Sequence, residues 1–134
     1  MSAIPSGQES RKLPAGFPRR CRLTETDDFS SVFGFRKAIR SANFLLHYCP
    51  REGEQIDGAR LGLVIAKRHL RRSVDRNLVK RLIRETFRTR RRELPSCDLI
   101  VRLAVKPNLP IDRRVLAGEI QNLLKKCALL DLWP

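Results

Sequence analysis

Arginine and lysine recur every four residues at Arg72, Arg76, Lys80, Arg84 and Arg88, with Asn77 and Arg81 beside them. On a helix advancing ~100° per residue these positions form one slowly winding basic stripe. Their chemistry is that of polyanion recognition. A guanidinium is always charged, and its planar fork holds a phosphate through two hydrogen bonds or stacks on a base. Asn77 adds an amide that donates and accepts, suited to a sugar hydroxyl, a base edge or an ordered water. Like charges four residues apart repel by a few tenths of a kcal/mol in an isolated helix, so such a row calls for something negative along it. Only Glu85 interrupts the face, and among Arg81, Arg84 and Arg88 it reads as a local charge balancer. From Arg60 to Arg92 the chain has thirteen Lys and Arg against Asp75 and Glu85, a net +11 within a total of +14. A helix surface that meets only water usually mixes signs. This concentration points instead to nucleic acid, although net charge by itself does not separate RNA from DNA or from an acidic membrane surface.

Side chains suited to bond-making are scarce. His47 and His69 are the two histidines, and His69 sits in the basic stretch Lys67–Arg72, where phosphate contact suits it better than general-base work. No HxH, DxD or paired-carboxylate arrangement lies near either, and no Cys–His metal spacing occurs. Cys21, Cys49, Cys97 and Cys127 are far apart and read as reduced thiols, several of them buried. We therefore expect neither a catalytic residue nor a metal site in the chain itself.

The elements that position the stripe follow from periodicity and punctuation. With 134 residues the chain suits one domain. It has no apolar run of ~18 residues for a membrane span. It also lacks the apolar segment of a signal peptide, which points to the cytoplasm. Residues 1–20, rich in Pro, Gly, Ser and charge, read as a disordered basic arm, leaving a single domain over 21–134. Thr24 and Thr26 are N-cap candidates ahead of a short helix carrying Phe29, Val32 and Phe33. Ala42–Cys49 and Arg60–Ala66 read as strands, the second with Leu61, Leu63 and Ile65 to one side, and the loop between them suggests an antiparallel pair. The basic helix spans about Ser73–Arg92, stopped by Pro95, with Leu78, Val79, Leu82 and Ile83 as its core face. Asp98–Val105, nearly all apolar, reads as a central strand. A last amphipathic helix covers Asp112–Leu130 through Val115, Leu116, Ile120, Leu123, Leu124 and Cys127. The class is α+β, one domain with a mixed sheet packed by helices in the order α-β-β-α-β-α.

The run Arg76-Asn77-Leu78-Val79-Lys80-Arg81-Leu82-Ile83-Arg84-Glu85 resembles the signature RN-x-x-KR-x-x-RE of the bacterial ribonuclease P protein subunit. The strand from Arg60 through Gly62 to Lys67-Arg68, the Phe29-x-x-Val32-Phe33 helix and Lys106-Pro107 fit the same family in order, so the resemblance covers about Arg22–Leu130. Leu78 departs from it, standing where many members carry a third basic residue. The resemblance implies a ribosomal protein S5 domain 2-like fold and a role beside a catalytic RNA that removes the 5′ leader of precursor tRNA. By position it implies RNA docking through Lys67, Arg68, Arg76, Asn77, Lys80, Arg81 and Arg84, to which the stripe itself adds Arg72 and Arg88. It also implies a leader cleft with Phe29, Phe33, His47 and Lys106, Mg2+ bound mainly by the RNA and substrate, and one protein per RNA. His47 and Tyr48, adjacent in a strand, face opposite ways, so at most one belongs to the cleft. The resemblance favours His47 and keeps Tyr48 in reserve. From the residues alone, Phe29, Val32 and Phe33 fit a core face at least as well as a platform for bases. Two other readings stay open: a general RNA-binding or ribosomal protein without an enzymatic assembly, and a helix-type DNA binder. The last is weakened because a strand, not a helix and tight turn, precedes the basic helix.

Overall fold

The structure, a computed structural model, describes residues 22–23, 26–50 and 58–130. The expected arm over 1–20, Cys21 and the capping candidate Thr24 lie outside these residues. The elements are α1 (Thr26–Phe35), β1 (Ala38–Arg40), β2 (Phe44–Pro50), β3 (Arg60–Val64), α2 (Ser73–Arg90), a 3-10 turn (Arg91–Glu93), β4 (Cys97–Leu103) and α3 (Arg113–Ala128). The expected α+β order is present, with β1 as an additional short edge strand.

Strand pairing corrects one expectation. The strands around Ala42–Cys49 and Arg60–Ala66 do not pair with each other, because β4 lies between them in the order β1-β2-β4-β3. β4 is antiparallel to β2 and parallel to β3, and α2 forms the crossover from β3 to β4. Loop length constrains only which strands lie close in sequence. Burying the most apolar strand on both faces dictates the middle position, and β4 is buried at every residue except Arg102.

Strand alternation divides the core in two. Phe44, Leu46 and Tyr48 of β2, Leu61 of β3, and Cys97, Leu99, Val101 and Leu103 of β4 join the buried cluster under α2 and α3. A smaller cluster of Leu23, Val32 and Ile100, with Phe29, Cys49 and Val64 against it, lies under α1. One face of the sheet thus carries two long helices and the other a single ten-residue one. On α2 the core face is shifted from the expected arc. Val79 and Ile83 are buried, Leu82 packs partly, Leu78 is only half-buried, and Thr86 and Phe87 complete the face. Thr86 is tolerated there because its hydroxyl donates to the Leu82 carbonyl at 2.8 Å. Val115, expected on the core side of α3, is 60% exposed in the helix's first turn.

Local chemistry seats the helices. Asp112 caps α3, its carboxylate accepting from the N–H groups of Arg114 and Val115 at 3.1 and 3.2 Å. The half-buried Glu119 of α3 accepts from Ser41 Oγ, from Asn43 N–H at 2.6 Å and from Asn43 Nδ2 at 2.9 Å, tying the β1–β2 turn to the helix. After α1, Arg36 takes φ 62°, a left-handed position usually held by Gly at a helix end, and its N–H donates to the Phe33 carbonyl at 3.1 Å. α1 rests on the sheet where there is least side chain. A Cβ on Gly62 would lie 2.7 Å from Phe29 Cζ. Gly62→Ala should therefore lift Phe29 and destabilise the fold by about 1–3 kcal/mol, the range for overpacking, measured by urea denaturation. An unchanged midpoint would show that the ring moves aside freely.

Candidate nucleic-acid interface

The basic residues of α2 divide by task once placed in the fold. Arg72, Asn77, Arg81 and Arg88 are exposed, and Arg76, Lys80 and Arg84 are half-buried on the helix. Lys67 and Arg68 are exposed in the turn leading to it. Helix α2 starts without a side-chain cap at Arg72, and Asp75 in its first turn complements the dipole. Arg76 reaches back through Nη1 to the carbonyls of Leu70 and Arg71 at 2.9 and 2.8 Å. It therefore holds the Lys67–Arg71 turn against the helix as well as contributing charge. Arg68 Nε donates to His69 Nε2 at 3.4 Å. Glu85 is exposed, and no ion pair joins it to Arg81, Arg84 or Arg88 among the described residues, so it offsets their charge only through space.

Crowding of positive charge extends past the helix. Arg22 bridges Leu61 in parallel at the outer edge of β3. Burial pulls the Arg84 guanidinium down from its ordinary value, and the charge of Arg22 adds to the effect. Arginine stays protonated regardless, so the direction reports mainly the burial of Arg84, with a smaller like-charge contribution from Arg22. Not every arginine of the Arg60–Arg92 run is free for this. Arg60 is held by Asp98 through Nε–Oδ1 at 2.8 Å and Nη2–Oδ2 at 2.9 Å, with Asp28 at 3.6 Å. Arg91 Nε donates to the Ala59 carbonyl at 2.9 Å.

The residues expected at a cleft lie on the α1 side of the sheet. Phe33, 38% exposed, meets His47 edge-on, with ring centroids 4.9 Å apart at 78°. Phe29 is half-buried over Gly62 and packs with the smaller cluster, so it forms floor rather than lining. Tyr48 points the other way and is buried in the main core. Lys106 is exposed three residues beyond the end of β4, and the aligned apolar Val105 beside it is also exposed. Sequence reading passed over Arg102. It stands at the centre of the sheet on the same face as His47, and burial leaves both His47 Nε2 and Arg102 Nε without a hydrogen-bond partner among the described residues. The signal was present, since a charged residue inside an otherwise apolar central strand is rarely buried without a partner. Burial pushes the His47 imidazole below the ordinary histidine value, and Arg102 adds to the shift. It is therefore neutral at pH 7.

The described residues contain no grouping of three His, Cys, Asp or Glu side chains able to hold a metal ion. Cys49 is half-buried, and Cys97 and Cys127 are buried. No helix among the described residues is long and apolar enough to cross a membrane. Fold and surface together define an α+β protein with a predominantly basic helix on one side of its sheet and an aromatic-lined face on the other. The family model of ribonuclease P matches residues 17–128. The chain is 46% identical to the ribonuclease P protein component of Azoarcus sp. (strain BH72), over 90% of this chain and 91% of that one. It is 42% identical to that of Burkholderia mallei (strain SAVP1), over 85% and 87%. Among solved structures, the RNase P protein from Thermotoga maritima superposes with TM-score 0.66 at 27% identity, over 78% of this chain and 96% of that one. The Staphylococcus aureus RNase P protein shares the fold at TM-score 0.69 and 24% identity, over 79% and 94%. The chain belongs to the ribonuclease P protein family.

The depressed His47 value gives a pH signature. Because the folded chain disfavours the imidazolium, the unfolded chain binds more protons as pH falls through 6.5, the ordinary histidine value. The contribution to stability is thus complete above pH 6.5 and is lost as pH drops toward the folded midpoint. An NMR titration should place the His47 midpoint below 6.5, and His47→Gln should flatten the stability profile in that window. A midpoint at or above 6.5 would contradict the burial described.

Proposed function

We propose that this chain is the protein component of ribonuclease P, working beside a catalytic RNA to remove the 5′ leader of precursor tRNA in the cytoplasm. The observation that carries the reading is the family signature Arg76–Glu85 lying along a helix whose outward side is almost wholly basic. In this reading Lys67, Arg68, Arg72, Asn77, Lys80, Arg81, Arg84 and Arg88 meet phosphates and sugars of the RNA subunit, and Arg76 both contacts it and holds the turn. The single-stranded leader runs over the opposite side of the sheet, where Phe33 and His47 offer a stacking edge, Phe29 supports them from below and Lys106 lies at the exit. Base stacking on an aromatic ring contributes ~1–3 kcal/mol per base, so one exposed ring supports a modest preference rather than tight binding.

The chain supplies no general acid or base to the cleaved bond. Neutral His47 and the phosphate-facing His69 stand on different parts of the surface, and Mg2+ is bound mainly by the RNA and the substrate. The protein acts as a monomer in a one-protein, one-RNA complex, holding substrate so that RNA-bound metal meets the scissile phosphate.

Two variants separate the faces. Arg81→Ala should weaken affinity for the RNA subunit and lower the salt slope by ~1 for the lost phosphate contact. Phe33→Ala should leave that slope alone and instead reduce discrimination between substrates with and without a leader. An unchanged slope in the first would remove α2 from the RNA interface. Equal weakening for both substrates in the second would assign Phe33 to packing and favour a general RNA-binding protein.

A further inference from the structure

Two arginines on one face of the same sheet have opposite circumstances. Arg60 is met by two carboxylates, Asp98 and Asp28. Arg102, two rows along on the same face of the neighbouring strand, has its Nε buried and without a partner among the described residues. An Nε–H buried without an acceptor costs free energy in the folded chain, even where the rest of the side chain is half-exposed. Register shows where an acceptor would sit. Arg40 of β1 is opposite Leu45 of β2, and Leu45 is opposite Arg102 of β4. Directly opposed residues share a face, so Arg40, Leu45 and Arg102 form one row across three strands. With strands about 4.8 Å apart, the two arginine Cα atoms are roughly 10 Å apart. Both charges flank an apolar side chain, and Arg40 is exposed at the sheet edge. Phe33 and His47 lie along the adjoining row, since His47 is opposite Ala38 and Ile100.

We propose that Arg102 and Arg40 form a phosphate-binding row for single-stranded RNA, Arg102 gripping one phosphodiester from the floor of the sheet and Arg40 a second at its edge. Leu45 supports the sugar or base between them. The inference rests on the α1 face being the leader side and adds to it the residues that hold the backbone. It also gives His47 a reason to stay neutral. A cationic imidazole beside Arg102 would compete for the same phosphate, whereas a neutral one offers a hydrogen bond to a base or a sugar hydroxyl. Arg102 is thus a positioning residue for substrate.

The test uses the chain reconstituted with its RNA subunit and precursor tRNA, comparing Arg102→Met, Arg40→Met and Phe33→Ala. Each Met variant should weaken binding of leader-bearing substrate about tenfold, the effect of one charge-assisted contact, and leave leaderless tRNA unchanged. A substrate with a neutral methylphosphonate at the contacted leader position should bind the unaltered protein about tenfold more weakly and show no further loss with Arg102→Met. The melting temperature of Arg102→Met should equal or exceed that of the unaltered chain, because a half-buried guanidinium whose Nε lacks a partner among the described residues has been removed. A lowered melting temperature, or equal weakening for both substrates, would make Arg102 structural and overturn the proposal. Leader discrimination lost in Phe33→Ala but intact in both Met variants would overturn the row while leaving the leader face standing. Discrimination intact in all three would remove the leader face itself.

Discussion

The bidentate pair between Arg60 and Asp98 is the interaction on which the arrangement rests. Asp98 is buried at the start of the central strand, and a buried carboxylate stripped of its partner costs about 3–5 kcal/mol. Its hydrogen bonds to Arg60 lift the already basic guanidinium further. The pair locks β3 to β4 at the residues where they first meet. A slip of one residue would turn every side chain of β3 to the wrong face. With that register held, Gly62 falls under Phe29, Ile100 under Val32, and Asp28 of α1 reaches the same arginine. One ion pair thus aligns two strands and seats the short helix.

Seating α1 this way separates the two surfaces. The face beneath α2 and α3 is closed by the larger core, so α2 presents its basic side outward on a rigid support. The other face is covered only in part, which leaves Phe33, His47, Leu45 and Arg102 half-covered or exposed. A long-lived contact with a structural RNA suits the first surface, where many phosphates can be met at once. A substrate that must enter and leave suits the second, where few groups contribute and each contributes modestly. The Glu119 clamp on Ser41 and Asn43 holds the β1–β2 turn and with it the edge of the open face.

Much of this was legible in the residues. The helices, the central strand and the basic stripe follow from period, punctuation and charge, because each is a local property. Pairing was not. β4 enters between β2 and β3 through a contact that spans the whole of α2, and no loop length encodes that. β1 has only three residues, exposed at both ends with Ile39 partly buried between them, too short a run to carry a legible pattern. Counting charge also overstated the docking surface, since Arg60 is neutralised by a carboxylate thirty-eight residues away and Arg76 is partly engaged by its own turn. Leu78 sits at the margin of the α2 core rather than within it, so its departure from a basic residue falls on the rim of the proposed docking face. Arg102 was passed over because the six apolar residues of Asp98–Val105 made the strand look uniform, although a lone charge at its centre is what distinguishes it.

In the proposed role the chain assists an RNA catalyst and does not cut RNA by itself. The direct measurement is leader removal from precursor tRNA at low magnesium with the catalytic RNA alone, the purified chain alone and the two together. The account predicts cleavage well above the RNA-alone rate when both are present and none with the chain alone. Cleavage by the chain alone, or no stimulation of the RNA, would contradict it.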